Sequence, residues 1–208
     1  MPPPVPPRKY ESPQRDAAAA ETRARLIEAA GRLLSERGGK SASLDAVAKA
    51  AGATRLTVYN QFGSRRGLLE AVFDERARGG GLTRIPELMA NPDPRAVLHG
   101  LIEIFCGFWA FDPAIARLQE EAWLDPEFAQ AIAERNERRR KTFRTVVERL
   151  TTGLEPSATD LDDATDLLFT LTSQPSFKSL SHHRDQAEVC ALIQKAADAL
   201  LAARFPQL

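Results

Sequence analysis

The apolar residues of this chain recur at helical spacing. One helix face is formed by residues at i, i+1, i+4, i+7 and i+8, namely Leu26, Ile27, Ala30, Leu33 and Leu34. Three shorter segments with an apolar face follow up to residue 73, and longer ones are predicted at about 95–111, 113–123, 126–151, 160–174 and 185–204. No stretch of four or more residues alternates apolar and polar positions as a half-buried strand does. The pattern therefore predicts an all-α protein.

Glycine, proline and capping residues mark the predicted boundaries. Ser43, Thr54 and Ser64 each precede an apolar segment and are predicted helix N-caps. Six of the 14 prolines lie in the first 15 residues, which predicts a disordered tail over residues 1–16. The glycine- and proline-rich stretch from residue 76 to 94 is predicted to be a linker containing a short helix. We expect one small helical domain over residues 17–76 and a larger one over residues 77–208.

Composition narrows the class of protein. With 208 residues, of which 43% are hydrophobic and 27% charged, the chain can bury a sizeable core. Its longest apolar stretch, residues 101–111, is far shorter than the roughly 20 residues that span a bilayer. The N-terminus has no apolar signal segment, and two cysteines exclude a disulfide scaffold. We therefore expect a cytoplasmic protein with no membrane partner.

The net charge of zero conceals an asymmetry. Residues 1–66 carry twelve Lys and Arg against six Asp and Glu, whereas residues 67–208 carry 16 against 22. A basic N-terminal third on an acidic remainder is typical of two parts with different partners, although charge also fluctuates along any chain. The motif inside the basic part decides between these interpretations.

Residues 43–62 have the spacing of a helix-turn-helix. A short helix follows Ser43, a tight turn is placed at Gly52, and a second helix follows Thr54. In such a motif the first helix crosses the phosphate backbone and the second lies in the major groove of DNA. Val58 and Phe62 are predicted to be buried behind this second helix. Its outer face then presents groups that can contact base edges: Arg55, Leu56, Thr57, Asn60 and Gln61.

The stretch from Ser43 to Leu69 resembles the TetR family of bacterial transcriptional regulators. The matching positions are Val47-Ala48, Ala51-Gly52, Thr57-Val58-Tyr59, Phe62, and Ser64 followed by a basic pair and Leu68. The resemblance covers about residues 20–75. It implies that Tyr59 and Arg65 bind DNA phosphates, Arg65 standing where the family usually has lysine. It also implies a homodimer on a palindromic operator of double-stranded DNA, usually a repressor, which a small-molecule effector releases.

Three more residues complete the predicted DNA-binding set. Arg66 lies beside Arg65 at a helix start, where positive charge opposes the helix dipole, so a phosphate partner is expected. Ser43 and Thr54 lie at helix N-termini close to the expected path of the DNA backbone. The alternatives are that Tyr59 is a core aromatic and that the two arginines are solvated charges.

The second half of the chain is rich in aromatic residues on amphipathic helices. Four of them are predicted to line an apolar cavity for a hydrophobic or aromatic ligand: Phe105, Phe108, Trp109 and Trp123. His99 joins this candidate site as an inward polar group. The alternative is that the aromatics are ordinary core. His99, Glu103 and Cys106 share one helix face but offer too few ligands for a metal, so neither a metal nor a cofactor is expected.

Two further segments carry structural predictions. The charge run from Glu134 to Arg144 is predicted to be a solvated helix face with Glu-to-Arg pairs. The last two helices, at about 160–204, are predicted to pack against their copies in a second subunit as a four-helix bundle. An ordinary core within one chain is the alternative for these two helices.

Nothing in the sequence indicates an enzyme. The segment Gly38-Gly39-Lys40-Ser41 ends like a phosphate-binding loop, but Leu34 replaces the required glycine and a helix replaces the required strand. The histidines and cysteines have no nucleophile–base spacing. We therefore expect a ligand-responsive DNA-binding regulator. The alternative is a helical ligand-binding or scaffold protein whose helix-turn-helix is non-functional.

Overall fold

The structure is a computed structural model that describes residues 13–37 and 42–208, and its regular structure over these residues is helical, as predicted. Eleven α-helices form there: α1 Pro13–Arg37, α2 Leu44–Ala50, α3 Arg55–Phe62, α4 Arg65–Gly79, α5 Ile85–Met89, α6 Pro94–Phe111, α7 Pro113–Glu121, α8 Pro126–Leu150, α9 Ala158–Leu171, α10 Gln174–Leu180 and α11 Gln186–Arg204.

The first helix begins earlier than the sequence pattern indicated. Residues 13–16, predicted to belong to the tail, form the first turn of α1. Asp16 lies in that turn, where a negative charge is favourable beside the unpaired N–H groups. The rest of the predicted tail, residues 1–12, lies outside the described residues, as does the segment at 38–41.

The three predicted N-caps are confirmed. Ser43, Thr54 and Ser64 precede α2, α3 and α4, and each side chain accepts a hydrogen bond from the backbone N–H three residues further along. Each cap satisfies a donor that the helix leaves unpaired at its start. The local sequence therefore determines where these helices begin.

The predicted linker is largely helical. α4 continues to Gly79, a 3₁₀ turn follows over Leu82–Arg84, and the short helix expected in this stretch is α5. A Cβ atom at Gly80 would lie 2.7 Å from the ring of Phe108 on α6. The glycines that indicated a linker therefore allow α4 and α6 to approach closely. Glycine is typical of loops as well, so the sequence alone could not distinguish the two cases.

The predicted helix at 160–174 ends a little early. α9 stops at Leu171, and Ser173 caps a separate short helix, α10. Pro175 occupies the first turn of α10, a position where its missing N–H costs nothing. α9 and α11 pack against each other and against the long helices α6 and α8.

Two hydrophobic cores organise these helices. The first combines α1–α4 with residues 108–132 of α6, α7 and α8, and it includes the fully buried Val58 and Phe128. The second lies between α6, α8, α9 and α11 around Phe143. Since the first core extends across residue 76, the expected domain boundary there stays a prediction. Within residues 13–37 and 42–208, no helix combines the length and apolarity needed to cross a membrane.

Candidate functional site

The helix-turn-helix is held by backbone hydrogen bonds around Gly52. The N–H of Ala51 donates to the carbonyl of Val47, and the N–H of Ala53 donates to that of Ala48, both at 2.9 Å. Gly52 has a φ of 63°, in the left-handed region that glycine adopts without strain. The turn between α2 and α3 is therefore tight, and α3 is fixed on the first core from behind.

One face of α3 is open to solvent. Val58 is fully buried, and Phe62 packs under the guanidinium of Arg23, 4.5 Å from its ring centroid. Arg23 also donates to the backbone carbonyl of Gln61 at 2.8 Å, which fixes the end of the helix. The opposite side, termed the reading face below, consists of Arg55, Leu56, Thr57, Tyr59, Asn60 and Gln61. Leu56 and Tyr59 are 66% and 56% exposed, which removes the alternative that Tyr59 is a core aromatic.

Residues around the reading face already have intramolecular partners. The Arg55 guanidinium lies 3.5 Å from the carboxylate of Asp45 on α2, and both side chains are about two-thirds exposed. The hydroxyl groups of Thr54 and Thr57 lie 2.9 Å apart. Such exposed pairs contribute little to stability, so they can be exchanged for another polar partner at small cost.

The arginines at the start of α4 have carboxylate partners within the protein. Arg65 forms ion pairs with Glu121 at the end of α7 and with Asp125, the N-cap of α8. Arg66 pairs with Glu70 one turn further along α4, at 2.6 Å. The phosphate contacts of Arg65 and Arg66 stay predictions, and a phosphate would compete with these carboxylates. The carboxylates around Arg65 lie more than 50 residues away in sequence, so local spacing could not reveal them.

An aromatic cavity lies beside the C-terminal half of α4. It has a volume of about 260 Å³ and is bounded by α4, α6 and α8. Three of the predicted aromatics, Phe105, Phe108 and Trp109, are brought together in its wall, and Phe73 of α4 joins them. The Trp109 indole N–H donates to the Thr172 carbonyl at 2.8 Å, which fixes the ring.

Two predicted residues lie elsewhere. Trp123 is 90% exposed in the turn between α7 and α8, because α7 ends at Glu121 and the helical spacing used to place Trp123 stops there. His99 precedes Phe105 by six residues on α6, which puts it about 120° around the helix. Its Nε2 lies 3.1 Å from both carboxylate oxygens of Asp198 on α11. Neither residue belongs to the cavity, and this part of the predicted site is corrected.

Glu103 and Cys106, which share a helix face with His99, also contact neighbouring side chains. Glu103 accepts a hydrogen bond from Gln194, and burial raises the pKa of the Cys106 thiol to about 12, with Cys190 beside it. Over the described part of the chain, no group of three His, Cys, Asp or Glu side chains is placed to hold a metal ion.

Arg139 is a cavity residue that the charge pattern does not predict. It lies in the charge run that was predicted to be solvated, yet it is 8% exposed and lines the cavity. Its position carried a signal: Arg139 follows Ile132 by seven residues and precedes Phe143 by four, which places it on the apolar stripe of α8. Burial lowers the pKa of its guanidinium to about 10, so the group remains charged at neutral pH.

Residues 26–72 match the family model described as bacterial regulatory proteins, tetR family. The N-terminal segment of the chain is therefore a TetR-family DNA-binding region. The matched segment begins in α1 and ends in α4, and it contains the complete helix-turn-helix with its reading face. A TetR-family DNA-binding region supports ligand-responsive, DNA-binding regulation of transcription, and TetR-family regulators are generally not enzymes.

Solved structures share the fold of this chain. A TetR-like transcriptional regulator from Rhodococcus sp. RHA1 is 18% identical with a TM-score of 0.67, covering 88% of this chain and 97% of its own. A proposed transcriptional regulator from Saccharomonospora viridis, in complex with choline, is 18% identical with a TM-score of 0.65, covering 88% and 96%. FadR from Bacillus subtilis, in complex with stearoyl-CoA, is 17% identical with a TM-score of 0.68, covering 84% and 96%. Comparison with curated protein sequences gives no match.

Proposed function

We propose that the protein is a homodimeric repressor that binds a palindromic operator and is released by a small hydrophobic or aromatic molecule. The observation that carries this proposal is the position of α4. Its first turn follows the reading helix directly, and its later residues Phe73 and Ala77 line the aromatic cavity. One rigid helix therefore connects the surface that would contact DNA with the space that would hold an effector.

The proposed DNA contacts follow from the exposed chemistry of the reading face. An arginine suits guanine, Asn and Gln suit adenine, and an aliphatic side chain suits the methyl group of thymine. Arg55, Asn60 and Gln61 would read base edges in the major groove, with Leu56 against a methyl group. The exposed hydroxyl of Tyr59 would donate to a phosphate. Ser43 and Thr54 would support the backbone contact mainly by fixing the starts of α2 and α3.

The proposed dimer uses α9 and α11. These neighbouring helices leave Leu167 and Leu192 on the surface, 49% and 37% exposed, beside the half-buried Leu200. Packing against the same helices of a second copy would bury these side chains in a four-helix bundle. Two reading faces about 34–36 Å apart would then meet successive major grooves of a palindrome.

Release would work through differential binding to two states. An effector in the cavity contacts α4 directly, so a ligand that favours a shifted α4 also favours a changed spacing between the two reading faces. The regulators from Saccharomonospora viridis and Bacillus subtilis were solved with choline and stearoyl-CoA. These complexes support a small-molecule site in this fold, without indicating which molecule binds here.

The test is a gel shift on the DNA upstream of the protein's own gene, followed by selection of bound genomic fragments. The proposal expects a specific shift that Tyr59→Ala and Arg55→Ala both weaken. Leu124→Ala, which changes an exposed apolar residue outside the reading face, should leave the shift intact. If no genomic fragment shifts in preference to random DNA, the helix-turn-helix is non-functional and the scaffold alternative holds.

A further inference from the structure

Arg139 is a buried cation without a counter-charge. Among the described residues, no carboxylate oxygen lies within 4 Å of its guanidinium; the groups it bonds are the backbone carbonyls of Thr172 and Phe169, at 3.0 and 3.2 Å. Its Nε is buried and has no hydrogen-bond partner there. At least one of its five N–H donors is therefore without a partner among these residues, and Arg139 lines the cavity.

Aromatic rings surround this cation. The guanidinium carbon lies 4.0 Å from the ring centroid of Phe169, 5.4 Å from that of Phe105 and 5.9 Å from that of Trp109. Ring faces and carbonyl dipoles offset part of the cost of burying a charge, but they do not neutralise it. A buried cation is normally paired with an anion. Residues 13–37 and 42–208 supply none, so the missing anion is one that a ligand can bring.

The other charged groups of the cavity also favour an anion. Arg135 lies on its edge and pairs with Asp74 at 2.8 Å, while Glu70 lies 3.8 Å away. Arg138 at the rim is exposed, and Asp74 is the one acidic residue among the described residues that line the cavity. The cavity therefore carries an excess of positive charge, which favours an anion over a neutral or cationic ligand.

Size and charge narrow the class of anion. The volume of about 260 Å³ lies below the usual range of roughly 300–1,000 Å³ for drug-sized ligands, so a small molecule is indicated. Phe73, Phe105, Phe108 and Trp109 offer stacking surfaces for an apolar body. A carboxylate brings the single negative charge that one unpaired guanidinium balances, whereas a phosphate ester brings more charge into a mostly apolar space.

We propose that the aromatic cavity binds a small organic acid, with its carboxylate on Arg139 and its apolar body among the rings of α4 and α6. The inference rests on the proposed function only where it makes this acid the effector that releases DNA. Binding of the acid is independent of DNA and can be measured alone.

The test uses the fluorescence of Trp109 in full-length Trp123→Phe protein, because Trp123 is exposed and would add background. The probes are hexanoate, octanoate and cyclohexanecarboxylate, which do not fluoresce themselves, each compared with its neutral carboxamide. We expect the acids to bind at least tenfold more tightly than the amides, since a hydrogen bond to a charged group contributes more than one between neutral groups. Arg139→Met should remove the preference for the acid, and Lys141→Met, which changes an exposed cation of α8 outside the cavity, should retain it.

Equal affinity for acids and amides, an acid preference that survives in Arg139→Met, or no binding of any of the three acids at millimolar concentration would overturn the inference. If Arg139→Met protein still binds the amides, it is folded, so its loss of acid preference is not caused by unfolding. If the acids bind but do not displace DNA, the ligand class stands and the effector role fails. If a neutral aromatic displaces DNA instead, the regulator stands and the ligand class fails.

Discussion

The guanidinium of Arg65, in the first turn of α4, donates a hydrogen bond to the carboxylate of Glu121, the last residue of α7. Glu121 is 3% exposed, and Asp125 lies 3.4 Å from the same guanidinium. This pair ties the start of α4, directly behind the reading helix, to the junction of α7 and α8. Arg65, for which DNA binding stays a prediction, therefore also fixes the position of α4.

We expect Arg65→Ala to destabilise the fold. Removing the arginine leaves Glu121 as a buried carboxylate without its cation, which costs about 1–3 kcal/mol of unfolding free energy. Urea denaturation followed by circular dichroism measures it. Arg66→Ala is the matched control, because its partner Glu70 keeps 29% of its side chain in solvent, against 4% for Glu121, so its loss should change the denaturation midpoint far less. Equal midpoints for both variants would contradict the structural role of Arg65.

The same variant tests whether Arg65 also binds phosphate. Because its charge is already paired with two carboxylates, we expect Arg65→Ala to leave the salt dependence of DNA binding unchanged. If Arg65 bound a phosphate, its replacement by alanine would instead flatten the plot of log affinity against log salt by about one unit. Such a flattening would mean that Arg65 exchanges Glu121 for DNA.

Because Arg55 and Asp45 form an ion pair, we expect replacement of the two residues to change operator affinity in opposite directions. Arg55→Ala should weaken operator binding by about 1–3 kcal/mol and relax base choice at one position of each half-site. Asp45→Asn should strengthen binding, because it frees the guanidinium and removes a negative charge near the phosphates. Titrations against matched and scrambled duplexes measure both effects. Weaker specific binding by Asp45→Asn would contradict a base-reading role for Arg55.

The dimer proposal predicts that the exposed leucines of α9 and α11 hold two copies together. The double change Leu167→Glu and Leu192→Glu places charges within the proposed bundle, so light scattering at micromolar concentration should report a monomer. Leu124→Glu is the control, since Leu124 is 64% exposed but lies between α7 and α8. A wild-type protein that is already monomeric would refute the proposal outright.

The two thiols should differ in reactivity. Burial raises the pKa of Cys106 to about 12, so at pH 8 only about one thiol in ten thousand is ionised, and the thiolate is the reactive form. Ellman's reagent should therefore label native Cys190→Ser protein very slowly, and faster as the pH rises. The same protein in guanidinium chloride should react at once. Rapid labelling of native Cys190→Ser at pH 8 would show that Cys106 is not buried as described.

Local sequence determined the reading helix, and distant contacts determined much of the rest. Ser43 and Thr54 cap helices by accepting hydrogen bonds from backbone N–H groups only three residues further along the chain, so these roles could be predicted from sequence spacing. The partner of Arg65 lies 56 residues away, and the rings around Arg139 come from α6 and α9. Charge patterning alone predicted a solvated Arg139, because it ignores the apolar stripe in which this residue stands.

The central claim is that the reading face of α3 recognises a specific operator. Fluorescence anisotropy on a duplex recovered by genomic selection tests it most directly, with wild-type protein compared with Tyr59→Ala and Arg55→Ala. We predict that two protomers bind each duplex, that Tyr59→Ala weakens binding to every sequence, and that Arg55→Ala relaxes a single base position in each half-site. Equal affinity of the three proteins for selected and random duplexes would contradict this claim.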